Sequence, residues 1–367
     1  MKVGIITHYY KSTNYGGNLQ AYALCRVIEG MGHTVEQISF DTSRDKGLVY
    51  SAKRLARKIL KPSLKNRSNF AIRKKAFEQF NQGLIPHSRV YSEKNIHKCV
   101  NDYDVFITGS DQVWHPFVAC NGYLLEFVPS SKKKLSYSAS IAHNELTEKQ
   151  RERYKNALSD YSAISVRENE AVEILKPLAS KKIEVVLDPT LLLTKNEWLE
   201  IADDVHINED YIFCYFLGSD EKQRSVASEF ARKNNLKIAT LPHLLGQYRE
   251  CDSSFGDYKL YDVTPQKLIS IINNSKCVFT DSFHATVFSL ICEKEHFVFQ
   301  RSGHKSMSSR IYTLCSLFDT QEHFCDTEDK TTLSYIESLE KIDYSKEKEA
   351  FVKQKEASLA FLKSNLE

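Results

Sequence analysis

Val3-Gly4-Ile5-Ile6-Thr7, followed after six residues by Asn14-Tyr15-Gly16-Gly17-Asn18-Leu19-Gln20-Ala21-Tyr22-Ala23-Leu24, decides the fold of this chain. The first run is short, apolar and partly β-branched, which reads as a strand; the second opens a helix on a glycine pair. A helix N-terminus placed there presents backbone N–H groups and a positive dipole end to an anion. The glycines match neither Gly-x-Gly-x-x-Gly nor Gly-x-x-x-x-Gly-Lys-Ser/Thr, so they license no nucleotide site. A tight turn that packs the helix on the strand is the competing reading.

The same alternation continues along the chain. Strand-like runs recur at Thr34–Phe40, Asp104–Gly109, Leu135–Ser140, Ala163–Arg167, Ile183–Leu187, Tyr211–Leu217, Lys237–Leu241, Cys277–Thr280 and Phe297–Gln300. Helical patterns lie between them, and several strands are apolar throughout, as parallel strands covered on both faces are. The class is therefore α/β, with doubly wound Rossmann-like sheets. Thr147 and Asn196-Glu197-Trp198 mark helix starts, and Thr264-Pro265 sets a capping hydroxyl before a proline at the first helical position. A change from strand to polar helix and back between Thr194 and Asp210 divides the chain. It gives a domain over 1–200 with a basic helical insertion near 45–82, a second domain over 201–330, and a terminal helix within 331–367.

With 367 residues, 42% hydrophobic and 26% charged, the chain has ordinary globular composition and length enough for two cores. No run approaches the length of a membrane span, and Met1–Thr7 reads as a strand rather than a leader. Nine cysteines without a Cys-x-x-Cys pair argue against a disulfide framework or a zinc site and for a reducing, cytoplasmic setting. A net charge of +3 indicates no general affinity for nucleic acid. Positive charge is nevertheless concentrated over 51–75, at Lys53, Arg54, Arg57, Lys58, Lys61, Lys65, Arg67, Arg73, Lys74 and Lys75, with no acid among them. Leu55, Ile59, Leu60 and Leu64 add apolar positions. The segment reads either as a solvated helical face or as a peripheral contact with an anionic membrane surface.

Four further segments place polar residues at strand ends, where open α/β sheets bind ligands. Gly109-Ser110-Asp111-Gln112-Val113-Trp114 follows one strand, and its Asp111 either caps a turn or orients a ligand hydroxyl. Asp102 and Asp104 just upstream match a carboxylate pair for a metal, or mark the turn into the strand. Ser165-Val166-Arg167-Glu168 ends in a guanidinium whose fork suits a carboxylate or phosphate, or a salt bridge. Thr280-Asp281-Ser282-Phe283-His284-Ala285-Thr286 sets His284 at a helix start, either as a proton carrier near neutral pH or as a capping residue. His8, at the end of the first strand, divides equally between a site role and a structural one. His115, His143, His243 and His304 stay unassigned between ligand and surface.

These segments, with Val186-Leu187-Asp188-Pro189-Thr190 and Arg310-Ile311, occur in the order seen in the polysaccharide pyruvyltransferase family, which the chain resembles from about Met1 to Leu317. The departure is Ala285, where many relatives carry glycine, a small change that narrows the space beside His284. The resemblance implies a glycosyltransferase-B-like architecture of two Rossmann-like domains facing a cleft. It implies transfer of pyruvate from phosphoenolpyruvate onto two hydroxyls of a sugar in a surface or capsular polysaccharide precursor, as a cyclic ketal with release of phosphate. The acceptor is a sugar or a lipid-linked oligosaccharide, and neither metal nor cofactor is expected beyond the donor substrate. By the same resemblance His284, Arg167 and Asp111 are the catalytic candidates, with Gly16, Gly17, Asn18, Ser110, Ser282 and Arg310 binding substrate. A glycosyltransferase using a nucleotide sugar and a non-catalytic sugar-binding protein are the alternatives.

Overall fold

Strands and helices alternate to build two parallel sheets, one in each of two units. The computed structural model describes residues 1–43, 64–244, 249–301, 308–345 and 348–367. The boundary between the units falls at Leu193/Thr194. Val352–Glu367 belongs with the first unit, and residues 64–77 belong with the second.

In the first unit β1 (Lys2–Ile6) leads into α1 (Tyr15–Gly30) and β2 (Thr34–Gln37), and α2 (Leu64–Leu84), of which residues 78–84 belong to this unit, precedes β3 (Val105–Thr108) and β4 (Lys133–Ser136). These strands lie in the order β2-β1-β3-β4, all parallel. After α3 (Glu148–Leu158) come β5 (Ile164–Val166), α4 (Asn169–Leu175) and β6 (Ile183–Val185), and parallel bridges Leu135–Ala163 and Ala139–Val166 set β5 beside β4. The order reverses between β1 and β3. In an open α/β sheet, that is where the strand ends leave a crevice for ligands. Ile6, Phe106, Val113, Trp114, Leu124 and Ile164 are among the side chains packed in this unit's core.

The second unit begins with α5 (Lys195–Glu200), β7 (Tyr211–Tyr215), α6 (Glu221–Lys233), β8 (Lys237–Thr240) and β9 (Tyr258–Lys259). It continues through α7 (Pro265–Asn274), β10 (Cys277–Thr280), α8 (Phe283–Ile291), β11 (Glu295–Phe299), α9 (Ser308–Leu317) and β12 (Phe324–Cys325). The order β12-β11-β10-β7-β8-β9 is that of a doubly wound nucleotide-binding sheet, with its reversal between β7 and β10. Phe213 and Val278 pair across that reversal, and Phe279, Phe297 and Phe299 stack in the core.

Several local expectations meet the structure directly. Thr147 closes a capping box with Gln150, and Thr264 accepts from Lys267 N at 3.0 Å ahead of Pro265. The helix expected to start at Asn196 is instead capped two residues earlier: Thr194 and Glu197 form the box, because only a Ser/Thr with Glu three residues on satisfies both end N–H groups. Within 331–367 there are two helices, α10 (Leu333–Ser338) and α11 (Glu349–Leu366), rather than one. On α11, Ser358 Oγ accepts from Leu187 N at 3.0 Å, which fixes it to the first unit. Asp102 and Asp104 serve local structure: Tyr91 Oη donates to Asp102 and the Lys2 N–H to Asp104. No helix among the described residues is long and apolar enough to cross a membrane, and all nine cysteines are free.

The basic segment needs a correction at Arg73. Much of it, including Lys53, Arg54, Arg57, Lys58 and Lys61, lies outside the described residues. Lys74 and Lys75 are exposed on α2, but Arg73 is only 6% exposed and belongs to neither a solvated face nor a membrane contact. Its guanidinium donates to the carbonyls of Pro242 (3.1 Å), Leu260 (3.1 Å) and Tyr261 (3.4 Å), in the loops after β8 and β9. Arg73→Ala should lower stability by about 2–3 kcal/mol, the range for hydrogen bonds from a charged donor, with Arg73→Lys between it and wild type. Urea unfolding followed by fluorescence checks this; a change below about 0.5 kcal/mol would show that the clamp is dispensable.

Candidate active site

Asp188 is the centre of the polar network in the first unit. It is fully buried in the turn after β6 and caps the short 3-10 helix Pro189–Leu191. One carboxylate oxygen accepts from Thr190 N (3.1 Å) and Thr190 Oγ1 (2.7 Å), the other from Arg167 Nη1 (2.8 Å) and Ser110 Oγ (3.2 Å). The ends of β3, β5 and β6 therefore meet on one side chain. A second carboxylate, Asp111, stands 3.6 Å from Arg167 Nη2. Burial alone would lower the Arg167 pKa; the charges of Asp188, Asp111 and Glu168 outweigh it, so the guanidinium is held charged above its ordinary value. Glu168 turns the other way and accepts from Ser140 Oγ and the N–H groups of Ile141 and Ala142 at 2.9–3.2 Å.

Asp111 adopts φ 67° and ψ −173°, a region in which a side chain is strained. Its carbonyl accepts from Ser140 N and Val113 N, at 2.9 and 2.8 Å, and these bonds hold the conformation. Strain of this kind, about 1–3 kcal/mol per residue, collects at functional sites.

The glycine pair is explained by its neighbours. Asn14 caps α1 and accepts from Gly17 N at 3.3 Å, so that N–H is taken within the chain rather than offered to an anion. A Cβ on Gly17 would lie 2.7 Å from the His8 carbonyl and 3.5 Å from Asp111 Oδ2, which is why the helix start admits only glycine there. Gly16 and Asn18 are buried in the same first turn. Asn18 Nδ2 donates to the Asn14 carbonyl at 2.7 Å.

Two contributors escaped the sequence reading. Gln20 donates to Thr7 Oγ1 (3.0 Å) and the Gly17 carbonyl (2.8 Å) while accepting from Ser110 N (3.1 Å), which links β1, α1 and the β3 turn. A lone amide among Leu19, Ala21, Tyr22, Ala23 and Leu24 was its only signal. Asp188 stood inside a quoted motif without a role.

In the second unit His284 lies in the first turn of α8, after Ser282 at the N-cap, with its ring edge-on to Phe283 at 5.2 Å. The buried Arg310 on α9 sets its guanidinium 5.8 Å from the same Phe283 ring. Nearby, Asp281 at the end of β10 accepts from the N–H groups of Leu217 and Gly218, both at 2.6 Å, and from Arg301 Nε at 3.3 Å. Those two N–H groups lie in the loop just after β7, the position from which a doubly wound sheet usually offers amides to a diphosphate. Six candidate residues thus fall in the first unit (Gly16, Gly17, Asn18, Ser110, Asp111 and Arg167). Ser282, His284 and Arg310 fall in the second. His304 lies outside the described residues. Among the described residues no cluster of three metal-ligating side chains occurs.

His8 joins the first group. Its Nε2 is buried without a hydrogen-bond partner among the described residues, and its ring packs edge-on against Tyr123 at 4.5 Å. Burial pushes its pKa below the ordinary 6.5; Asp111 opposes that shift and His115 adds to it. In an NMR titration His8 should titrate below 6.5, lower still in Asp111→Asn and higher in His115→Gln. Titration at or above 6.5 would contradict the burial.

A family model described as polysaccharide pyruvyl transferase matches residues 14–303. No curated protein matches by sequence. Among solved structures, the UDP-GlcNAc 2-epimerase of Methanocaldococcus jannaschii, in complex with UDP-GlcNAc and UDP, aligns with TM-score 0.57 at 15% identity over 99% of this chain and 100% of that one. The UDP-GlcNAc 2-epimerase of Neisseria meningitidis aligns at 0.51 and 11% identity, covering 100% and 99%. The glycosyltransferase SnogD of Streptomyces nogalater aligns at 0.50 and 12%, covering 100% and 98%. At such identities the likeness concerns the fold, which is glycosyltransferase-B-like with two Rossmann-like domains.

Proposed function

Because the chain belongs to the polysaccharide pyruvyl transferase family, we propose that it transfers the pyruvyl group of phosphoenolpyruvate to two hydroxyls of a sugar, forming a cyclic ketal and releasing phosphate. The enol methylene gains a proton to become a methyl group. Two sugar oxygens bond to the former enol carbon as its bond to the phosphate oxygen breaks. Of the two hydroxyl protons, one balances the methyl group and the other leaves with phosphate.

The observation that carries this reading is the buried Arg167, held charged at the carboxyl ends of the strands beside the strained Asp111. Arg167 is assigned to an anionic group of the donor, and Asp111 to orienting an acceptor hydroxyl. His284 is assigned to moving the proton, a role that contributes about 10²–10⁴-fold. Gly16, Gly17, Asn18 and Ser110 shape the wall around Asp111, while Ser282 and Arg310 support the His284 turn. The nucleotide-sugar alternative is disfavoured by Asp281, whose carboxylate already occupies Leu217 N and Gly218 N, the backbone donors a diphosphate would need.

Calorimetry with phosphoenolpyruvate and, separately, nucleotide sugars tests the assignment. Wild type should bind phosphoenolpyruvate, Arg167→Ala should not, and His284→Ala should bind it while phosphate release with a saccharide panel falls about 10²–10⁴-fold. Binding of a nucleotide sugar with no response to phosphoenolpyruvate would replace this reading with a glycosyltransferase.

A further inference from the structure

Phe117 is a large apolar side chain that the fold holds in the open. It is 79% exposed, and its neighbour Val118 is 40% exposed. The exposure is built rather than loose. The His115 carbonyl accepts from Val118 N (2.8 Å) and Ala119 N (2.9 Å), which closes a tight turn over Pro116 and Phe117. Gln150 Nε2 on α3 donates to the Pro116 carbonyl at 3.3 Å. Beneath the turn Trp114 is fully buried and donates from Nε1 to the Tyr123 carbonyl at 3.1 Å.

Two imidazoles stand around the ring. The Phe117 centroid lies 5.7 Å from that of His115 and 5.8 Å from that of His143, and the two imidazoles are 5.5 Å apart, nearly perpendicular. His143 Nδ1 lies 2.8 Å from the Glu145 carbonyl and 3.2 Å from Glu145 N, contacts that hold the ring in place. The group belongs to the same segment as Asp111: His115 ends the 3-10 turn Gln112–Trp114 that Asp111 begins.

We propose that Phe117, flanked by His115 and His143, is the stacking platform for the apolar C–H face of the acceptor sugar. This deepens the reading of the chain as a sugar-modifying transferase and rests on it. A pyranose has one face of C–H groups and a rim of hydroxyls that both donate and accept. An exposed aromatic ring with polar imidazole edges matches that pattern, whereas an ordered apolar protein partner would leave the imidazoles without matching groups.

The test reads saccharide binding directly and needs no turnover. Saturation-transfer difference NMR is recorded with the methyl glycosides of galactose, glucose, mannose and N-acetylglucosamine, with and without phosphoenolpyruvate. At least one glycoside should show ring C–H saturation on wild type. Binding should weaken about tenfold in Phe117→Ala, the scale of one lost stacking contact, and persist in Phe117→Tyr. Phosphoenolpyruvate affinity, measured in parallel, should be the same in all three. No glycoside binding to wild type, or equal binding to Phe117→Ala, overturns the platform, as does a change in sedimentation of Phe117→Ala, which would assign the ring to a second copy of the chain. Phe117-dependent glycoside binding without phosphoenolpyruvate binding would leave the platform standing and remove the proposed donor.

Discussion

The buried ion pair between Arg167 and Asp188 is the constraint on which the first unit depends. A guanidinium and a carboxylate out of contact with water are stable only when every remaining donor and acceptor is matched. Asp188 achieves this with Arg167, Ser110 and both donors of Thr190. Through Ser110 the network reaches Gln20 and Thr7, so the ends of β1, β3, β5 and β6 are tied by side chains as well as by sheet hydrogen bonds. Asp111 can hold its strained backbone because the turn around it is fixed on both sides.

A similar device recurs in the second unit. Asp281 stands at the end of a strand beside the sheet's reversal and binds N–H groups of the loop that follows β7. In each unit a carboxylate of the chain itself neutralises the donors that the fold would otherwise offer to an anion.

The apolar runs of the sequence show the long strands because a strand covered on both faces must be apolar at every position. β9 and β12 carry no such signal: each has two residues, too few for a pattern to form. The motif segments show that polar residues gather at strand ends, but not their pairing. Arg167 suited either a salt bridge or a ligand, and the fold gives it Asp188, from a motif 21 residues later in the chain. Arg73 shows the limit of charge counting: it looked like one of ten surface cations and is a buried clamp on backbone carbonyls of the second unit. Contacts between residues so far apart in sequence are invisible to any local pattern.

A double-mutant cycle on stability, with Arg167→Met and Asp188→Leu, tests the central claim most directly. If the pair is the constraint described here, each single replacement strands a buried charge and costs about 3–5 kcal/mol. The double replacement should then cost less than the sum of the two, with a coupling of about 2 kcal/mol. Additive losses, or single losses below about 1 kcal/mol, would contradict the account and show that sheet hydrogen bonds and packing hold the strand ends without the pair.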